Sequence, residues 1–258
     1  YEYSMLGGPT LNRNLGFPND NTTYQEEYNT NDNPLQGIRW NIDYTSKQLP
    51  FGQMLAGYQF RHLNHYGNFI YERKDEESGI YELIPEFSSE VNLNRMIHAA
   101  YVQWNKKIKK WSYASGVRFE YMNRDFQLQD KANLIDSTYS YTYFKPFFSG
   151  NVSYTSTENL TWKLNFTQRV ERETTFKMNP FPEREHSETL EQGDPTLLPE
   201  LTGIWELGWE QKLRAGSLSL SVYHQRIKNP IQRVNKVFND TILNRIFTNA
   251  GMATQTGA

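Results

Sequence analysis

Apolar and polar residues alternate along the chain in segment after segment. In residues 159–172, NLTWKLNFTQRVER, an extended backbone puts Leu160, Trp162, Leu164 and Phe166 on one side and Thr161, Lys163, Asn165, Thr167 and Arg169 on the other. Ile38, Trp40, Ile42 and Tyr44 alternate in the same way with Gly37, Arg39, Asn41 and Asp43, and Met54, Ala56, Tyr58 and Phe60 with Leu55, Gly57, Gln59 and Arg61. Trp111, Tyr113, Val117, Phe119 and Tyr121 oppose Ser112, Ala114, Gly116, Arg118 and Glu120. The period of two returns at Phe148–Tyr154, Trp205–Trp209 and Leu218–Val222. A strand at His98–Trp104, whose two faces are not cleanly distinguished, and one from near Arg245 bring the expected number to about nine strands of roughly 10 to 12 residues.

The connections fall into two kinds. Short turns are predicted at SKQLPFG from Ser46, KKIKK from Lys106, STEN from Ser156 and RAGS from Arg214; long polar loops are predicted at roughly residues 72–92, 124–141, 171–200 and 228–243. Short turns at one end and long loops at the other describe an antiparallel up-and-down meander. Aromatic residues flank the short turns, as Tyr44 and Phe51, Trp104 and Trp111, and Tyr154 and Trp162 do. Tyr and Trp settle where hydrocarbon meets headgroups, so this row reads as the girdle of a transmembrane β-barrel. A soluble β-sandwich would explain the alternation alone, but not the loop asymmetry or the girdle.

Composition adjusts this picture. Aromatics make up 15% of the 258 residues while the apolar fraction is 37%, which favours pleated, half-buried surfaces. The formal charge of -2 and scattered cations exclude a nucleic-acid footprint. The absence of cysteine excludes disulfides, thiolate metal sites and a cysteine nucleophile. No apolar run is long enough for a spanning helix, which leaves spanning strands open. The opening YEYSMLGG is no secretory signal, so any such signal is removed or lies upstream. An odd strand count, and an end at ATQTGA inside a strand, predict an incomplete piece of a larger barrel. Residues 1–34 read as an N-terminal strand and loop segment and 35–258 as the barrel portion.

The segment from Gly193 to Val234, GDPTLLPELTGIWELGWEQKLRAGSLSLSVYHQRIKNPIQRV, resembles the late barrel of TonB-dependent outer-membrane receptors, above all the outer-membrane β-barrel family common in Bacteroidota. Asp194, Pro195, Leu197 or Leu198, Pro199 and Glu200 match the phrase N-P-x-L-x-P-E that ends an extracellular loop, with Asp where Asn is commoner. Glu206, Gly208, Tyr223, Ile227 and Ile231 follow as in the family's next two strands; HAAYVQWNKKIKKWSYASGVRFEY from His98 and FTNAGMATQTGA from Phe247 resemble further phrases, so the resemblance covers most of residues 95–258. It implies a plugged barrel of the 22-stranded class in the bacterial outer membrane. It also implies energised uptake of an extracellular ligand, with outer-membrane lipids, a TonB motor acting through a plug and a surface lipoprotein as partners. No plug and no TonB box is recognisable here, so this stretch alone would not transport.

No nucleophile motif, phosphate loop or zinc signature is present, and no catalysis or cofactor is expected. The near pair His62 and His65 reads as solvated loop residues. Candidate ligand contacts are the polar-face residues Arg39, Arg61, Arg118, Glu120, Lys163 and Arg169, and Glu185 and His186 in the acidic loop PEREHSETLEQGD. Calcium at the Asn- and Asp-rich segment from Asn19 lacks the spacing of a calcium hand. A barrel scaffold in an outer-membrane complex, a small outer-membrane enzyme and a soluble carbohydrate-binding sandwich are the alternatives.

Overall fold

A computed structural model describes residues 2–6, 8–15, 23–181, 183–186, 189–237 and 243–258. The strands in chain order are β1 (Glu2–Leu6), β2 (Pro9–Leu15), β3 (Thr23–Thr45), β4 (Gln53–Lys74), β5 (Tyr81–Leu83), β6 (Ser89–Ile108), β7 (Trp111–Asp130), β8 (Asp136–Thr157) and β9 (Leu160–Glu171). After the one-turn helix α1 (Thr175–Met178) come β10 (Glu183–His186), β11 (Thr189–Gln192), β12 (Glu200–Leu213), β13 (Gly216–Lys228), β14 (Ile231–Val237), β15 (Leu243–Asn249) and β16 (Met252–Gly257). The wall is one antiparallel sheet in the order β1-β3-β4-β6-β7-β8-β9-β12-β13-β16, with β2 also on β3 and β5 on β4. It is an up-and-down meander that does not close on itself among the described residues. The four predicted short turns are present, between β3 and β4, β6 and β7, β8 and β9, and β12 and β13.

Strand lengths depart from expectation. β3, β4, β6, β7 and β8 run for 20 to 23 residues, about twice the predicted length. The reason is visible on β7. Its bare face reads Trp111, Tyr113, Ser115, Val117, Phe119, Tyr121 and then Asn123, Asp125, Gln127, Gln129; its other face reads Ser112, Ala114, Gly116, Arg118, Glu120 and then Met122, Arg124, Phe126, Leu128. The apolar set changes sides near Tyr121, which interrupts the period-two signal without interrupting the strand. Residues 124–130 and 136–141, expected as loop, therefore continue β7 and β8. The predicted loop 228–243 contains β14, and the single strand expected from Arg245 is two, β15 and β16.

The same inversion crosses the sheet in register. Between the short turns and the inversion the bare face carries Trp40, Ile42, Phe148, Trp205 and Leu207, each about half exposed. A single sheet showing this much apolar surface is not a sandwich, and among the described residues no second sheet packs on that face. Trp111 stacks on Tyr113 and packs against Tyr154, while Trp104 Nε1 donates to the Phe51 carbonyl at 2.9 Å, so the turn-flanking aromatics form the expected girdle. Beyond the inversion, Phe69, Val91, Leu93, Phe126 and Leu128 point to the opposite, inner face, where Met178, Phe181, Leu197 and Phe247 bury them. The main core thus lies between the upper wall and two loops, 172–199 and 229–251, folded over it. Those loops share a small sheet, β10-β11-β15-β14, in which β11 and β15 pair in parallel.

Candidate functional site

The chain leaves β9 at Glu171 and turns onto the inner face, and three of the next four residues fasten it there. Arg172 donates to Glu120 Oε1 and, at 3.2 Å, to the Tyr143 hydroxyl, which itself donates to Glu120. Glu120, almost wholly buried, receives Arg118 on its other oxygen at 3.1 and 3.2 Å, and Arg118 also donates to Gln59 Oε1 at 3.0 Å. Glu173 faces Arg124 at 3.0 Å, with both side chains buried. Their approach lies off the hydrogen-bonding axis, so charge more than hydrogen bonding holds the pair. Arg95 Nη1 donates to the Glu173 carbonyl at 3.1 Å, Arg124 Nη1 to the Leu197 carbonyl at 2.9 Å, and the Arg124 guanidinium lies 5.3 Å from the Tyr141 ring centroid. Thr174 caps α1 and the Thr175 hydroxyl meets His65 Nδ1. Segment 172–175 thereby touches β4, β6, β7 and β8.

The far end of the loop closes on the near end. The Gly193 N–H donates to the Asn179 carbonyl at 2.6 Å and the Asp194 N–H to the Lys177 carbonyl at 2.9 Å. A Cβ at Gly193 would lie 2.5 to 2.6 Å from backbone atoms of Lys177 and Asn179, so this crossing admits only glycine. The Pro-Glu phrase then stitches both loops together. Leu197 fills the core, Leu198 exchanges hydrogen bonds with the Asn249 side chain at 2.7 and 3.0 Å, and Glu200 accepts the Ile231 N–H at 2.5 Å.

Of the residues singled out in the sequence, Arg118 and Glu120 lie inside this network. Arg39 and Arg61 are cross-strand partners on the inner face. Lys163 pairs with Glu210 at 2.7 Å nearer the short turns, away from the docked loop. Arg169 is exposed near the end of β9. Glu185 and His186 fall on β10, with side chains outside the described residues. In the acidic loop Glu191 is buried against Arg233 at 3.0 Å, which itself lies over Phe247. The expected loop pair His62 and His65 is instead on β4: His62 faces Asn94 on the bare side and His65 is turned inward, so the two cannot share a metal. Among the described residues no cluster of His, Asp and Glu could hold a metal; the segment from Asn19 begins outside them. Sequence reasoning missed Arg95, Arg124, Tyr143, Arg172 and Glu173, because their pattern lies past the inversion. The signal available was Arg172-Glu173 itself, two charges following an alternating strand.

His65 lies beyond the apolar band, and burial, then the nearby Arg95 charge, lower its pKa. Its Nε2 is buried without a partner, so a protonated ring would hold an unmatched charge. A folded pKa below the unfolded value means that stability is full above about pH 6.5 and falls as the pH drops. The protection of residues 175–179 relative to free amides at the same pH is expected to fall between about pH 7 and pH 5, and His65→Gln should flatten this dependence; equal profiles would show that His65 does not set it.

A search of curated proteins finds none that matches the sequence. Among solved structures, the chain is similar to a double mutant of the hemophore receptor HasR of Serratia marcescens, with a TM-score of 0.56 and 11% identity over 92% of this chain. It is also similar to the ferric yersiniabactin uptake receptor FyuA of Yersinia pestis (TM-score 0.55, 15% identity, 90% of this chain) and to the ferric citrate transporter FecA (0.53, 16%, 98%). It spans 40%, 32% and 35% of those three chains. At these identities the likeness establishes the fold alone, that of an outer-membrane β-barrel wall. A profile described as "Outer membrane protein beta-barrel family" matches residues 1–258, and with a wall of this topology, banded and girdled for lipid, the chain belongs to that family of the bacterial outer membrane.

Proposed function

We propose that this chain is part of the wall and mouth of a TonB-dependent receptor that takes up an extracellular ligand, and that it works by binding and passage rather than catalysis. The observation that carries the reading is the loop 172–199, folded inward and fastened by Arg172, Glu173 and Thr175 to a charged shelf on the face that a barrel turns to its lumen. A loop held by a few buried polar contacts has two discrete positions available, docked and released, which suits a surface that admits a ligand and then closes over it. The shelf residues Arg61, Arg118 and Glu120, with Arg39 beside them, would meet the ligand or a plug inside the lumen. A TonB motor acting through a plug, and a surface lipoprotein, are the partners of this reading.

The test is solute depletion. The native bacterium, a strain lacking the full-length gene and a strain lacking TonB are grown in one complex medium, and the spent media are compared by mass spectrometry. One solute class is expected to remain unconsumed in both deletion strains and to disappear when the gene is restored. Identical depletion by all three strains would overturn the uptake reading.

A further inference from the structure

The wall has a gap. β8 and β9 pair only as far as Ser149 opposite Thr167, although β8 continues to Asp136 on its β7 side and β9 to Glu171 on its β12 side. Above that point the two strands part, and the Gln168 side chain, not a backbone partner, accepts the Phe148 N–H at 2.9 Å. A cavity of about 560 Å³ occupies the parting. Most of its lining belongs to the bare face, so it opens sideways toward the surroundings of the wall rather than into the loops.

The lining has two chemistries. The floor is apolar, built on Phe166 and Trp205, whose rings lie 4.2 Å apart, with Pro146 and Leu201. On the bare face the rim holds His224, Arg226 and Lys228 and no carboxylate, while Lys145, opposite Glu120, and Arg169 border the cavity from the inner face. The acids close by, Glu120, Glu171, Glu200 and Glu206, all lie on the inner side, where Glu171 and Glu200 face each other. The height matters too. Trp205 lies eight residues above the end of β12 at Leu213, and Leu201 twelve. That places the slot at the outer margin of an apolar band about 25 Å tall.

We propose that this slot is a binding site for a phosphate-bearing lipid of the outer leaflet, with an acyl chain on the Phe166–Trp205 floor and the phosphate between Arg226 and Lys228. Charge complementarity selects the occupant. Cations without acids at headgroup depth attract an anion, and the adjoining aromatic floor favours one that carries a chain over free phosphate. The lipid would also cover the edge groups that β8 and β9 leave unpaired, which hydrocarbon does not tolerate bare. This inference needs only the membrane placement and stands whether or not the chain serves uptake.

The experiment uses the full-length protein extracted from its own outer membrane in mild detergent and washed to remove loose lipid, with retained lipid measured by phosphorus content and mass spectrometry. Wild type is expected to keep one phosphate-bearing lipid species, unmoved by inorganic phosphate in the wash. The double variant Arg226→Gln, Lys228→Gln should keep about tenfold less or lower still, each cation near a charged lipid surface being worth roughly a fivefold change in binding. Equal retention in both proteins, or displacement by inorganic phosphate alone, would overturn the site. If the double variant fails to fold, a photoreactive residue at Gln168 replaces it. Anionic lipid should be enriched on that residue relative to the same label at Val222, on the same face below the slot, and equal labelling counts against the proposal.

Discussion

Glu173→Ala is expected to free the loop 172–199 from the wall while leaving the wall folded. The substitution strands the Arg124 guanidinium, whose side chain is only 2% exposed, without its carboxylate. Removing one partner of a buried ion pair costs about 3 to 5 kcal/mol, because the remaining charge stays in a medium that solvates it poorly. Here that cost falls on docking, since the wall strands keep their ladders. Hydrogen exchange on the full-length protein in detergent should show residues 172–199 losing protection while β6 and β7 keep theirs. The paired replacement Glu173→Leu with Arg124→Met should come close to wild type, because it removes both charges and retains the volume. Undiminished protection in Glu173→Ala would mean that the apolar contacts of Met178, Phe181 and Leu197 hold the loop without the ion pair.

Leu164→Arg is expected to destabilise the folded protein in bilayers by about 2 to 4 kcal/mol, the cost of a cation on the lipid face near the midplane. Leu164 sits on the bare face between Val152 and Leu207 and is 44% exposed in the sheet. Its neighbour Asn165 points inward, toward Asn151 and Glu206. Asn165→Arg should therefore cost less than about 1 kcal/mol. Denaturant midpoints in lipid vesicles measure both. Equal costs for the two variants would show that the two faces of this strand do not see different media.

The lower half of the wall could be read directly from the sequence and the upper half could not. Period-two alternation located β3, β4, β7, β8, β9, β12 and β13 where one face is greasy and the other wet, β6 was expected without a clear division of faces, and the turn-flanking Trp and Tyr gave the girdle. The same rule failed past Tyr121 because burial there is set by the loops. Phe126 and Leu128 are buried because Met178 and Leu197 cover them, and nothing local in β7 announces that cover. Of the site, Arg118 and Glu120 stood out because they interrupt an otherwise small and uncharged inner row. Arg124 and Glu173 did not, since they lie 49 residues apart and only the path of the loop brings them together. The Pro-Glu phrase was noticed through resemblance alone; its physical purpose, tying Leu198 and Glu200 to Asn249 and Ile231, needed coordinates.

The change of sides at Tyr121 and its neighbours also fixes how deep the protein rides. A displacement outward or inward by two residues along tilted strands moves the wall by about 5 Å along the membrane normal. Inward, such a slide would draw Asn123 and its row-mate Thr142 into hydrocarbon; outward, it would lift the ring of Trp and Tyr off the inner interface. Both directions are uphill, so the protein carries its own waterline. A bilayer that thickens or thins must then deform around the wall, since the wall has no second depth at which its surface matches, and a pull on the lumen contents along the normal is resisted by the whole circumference of that line.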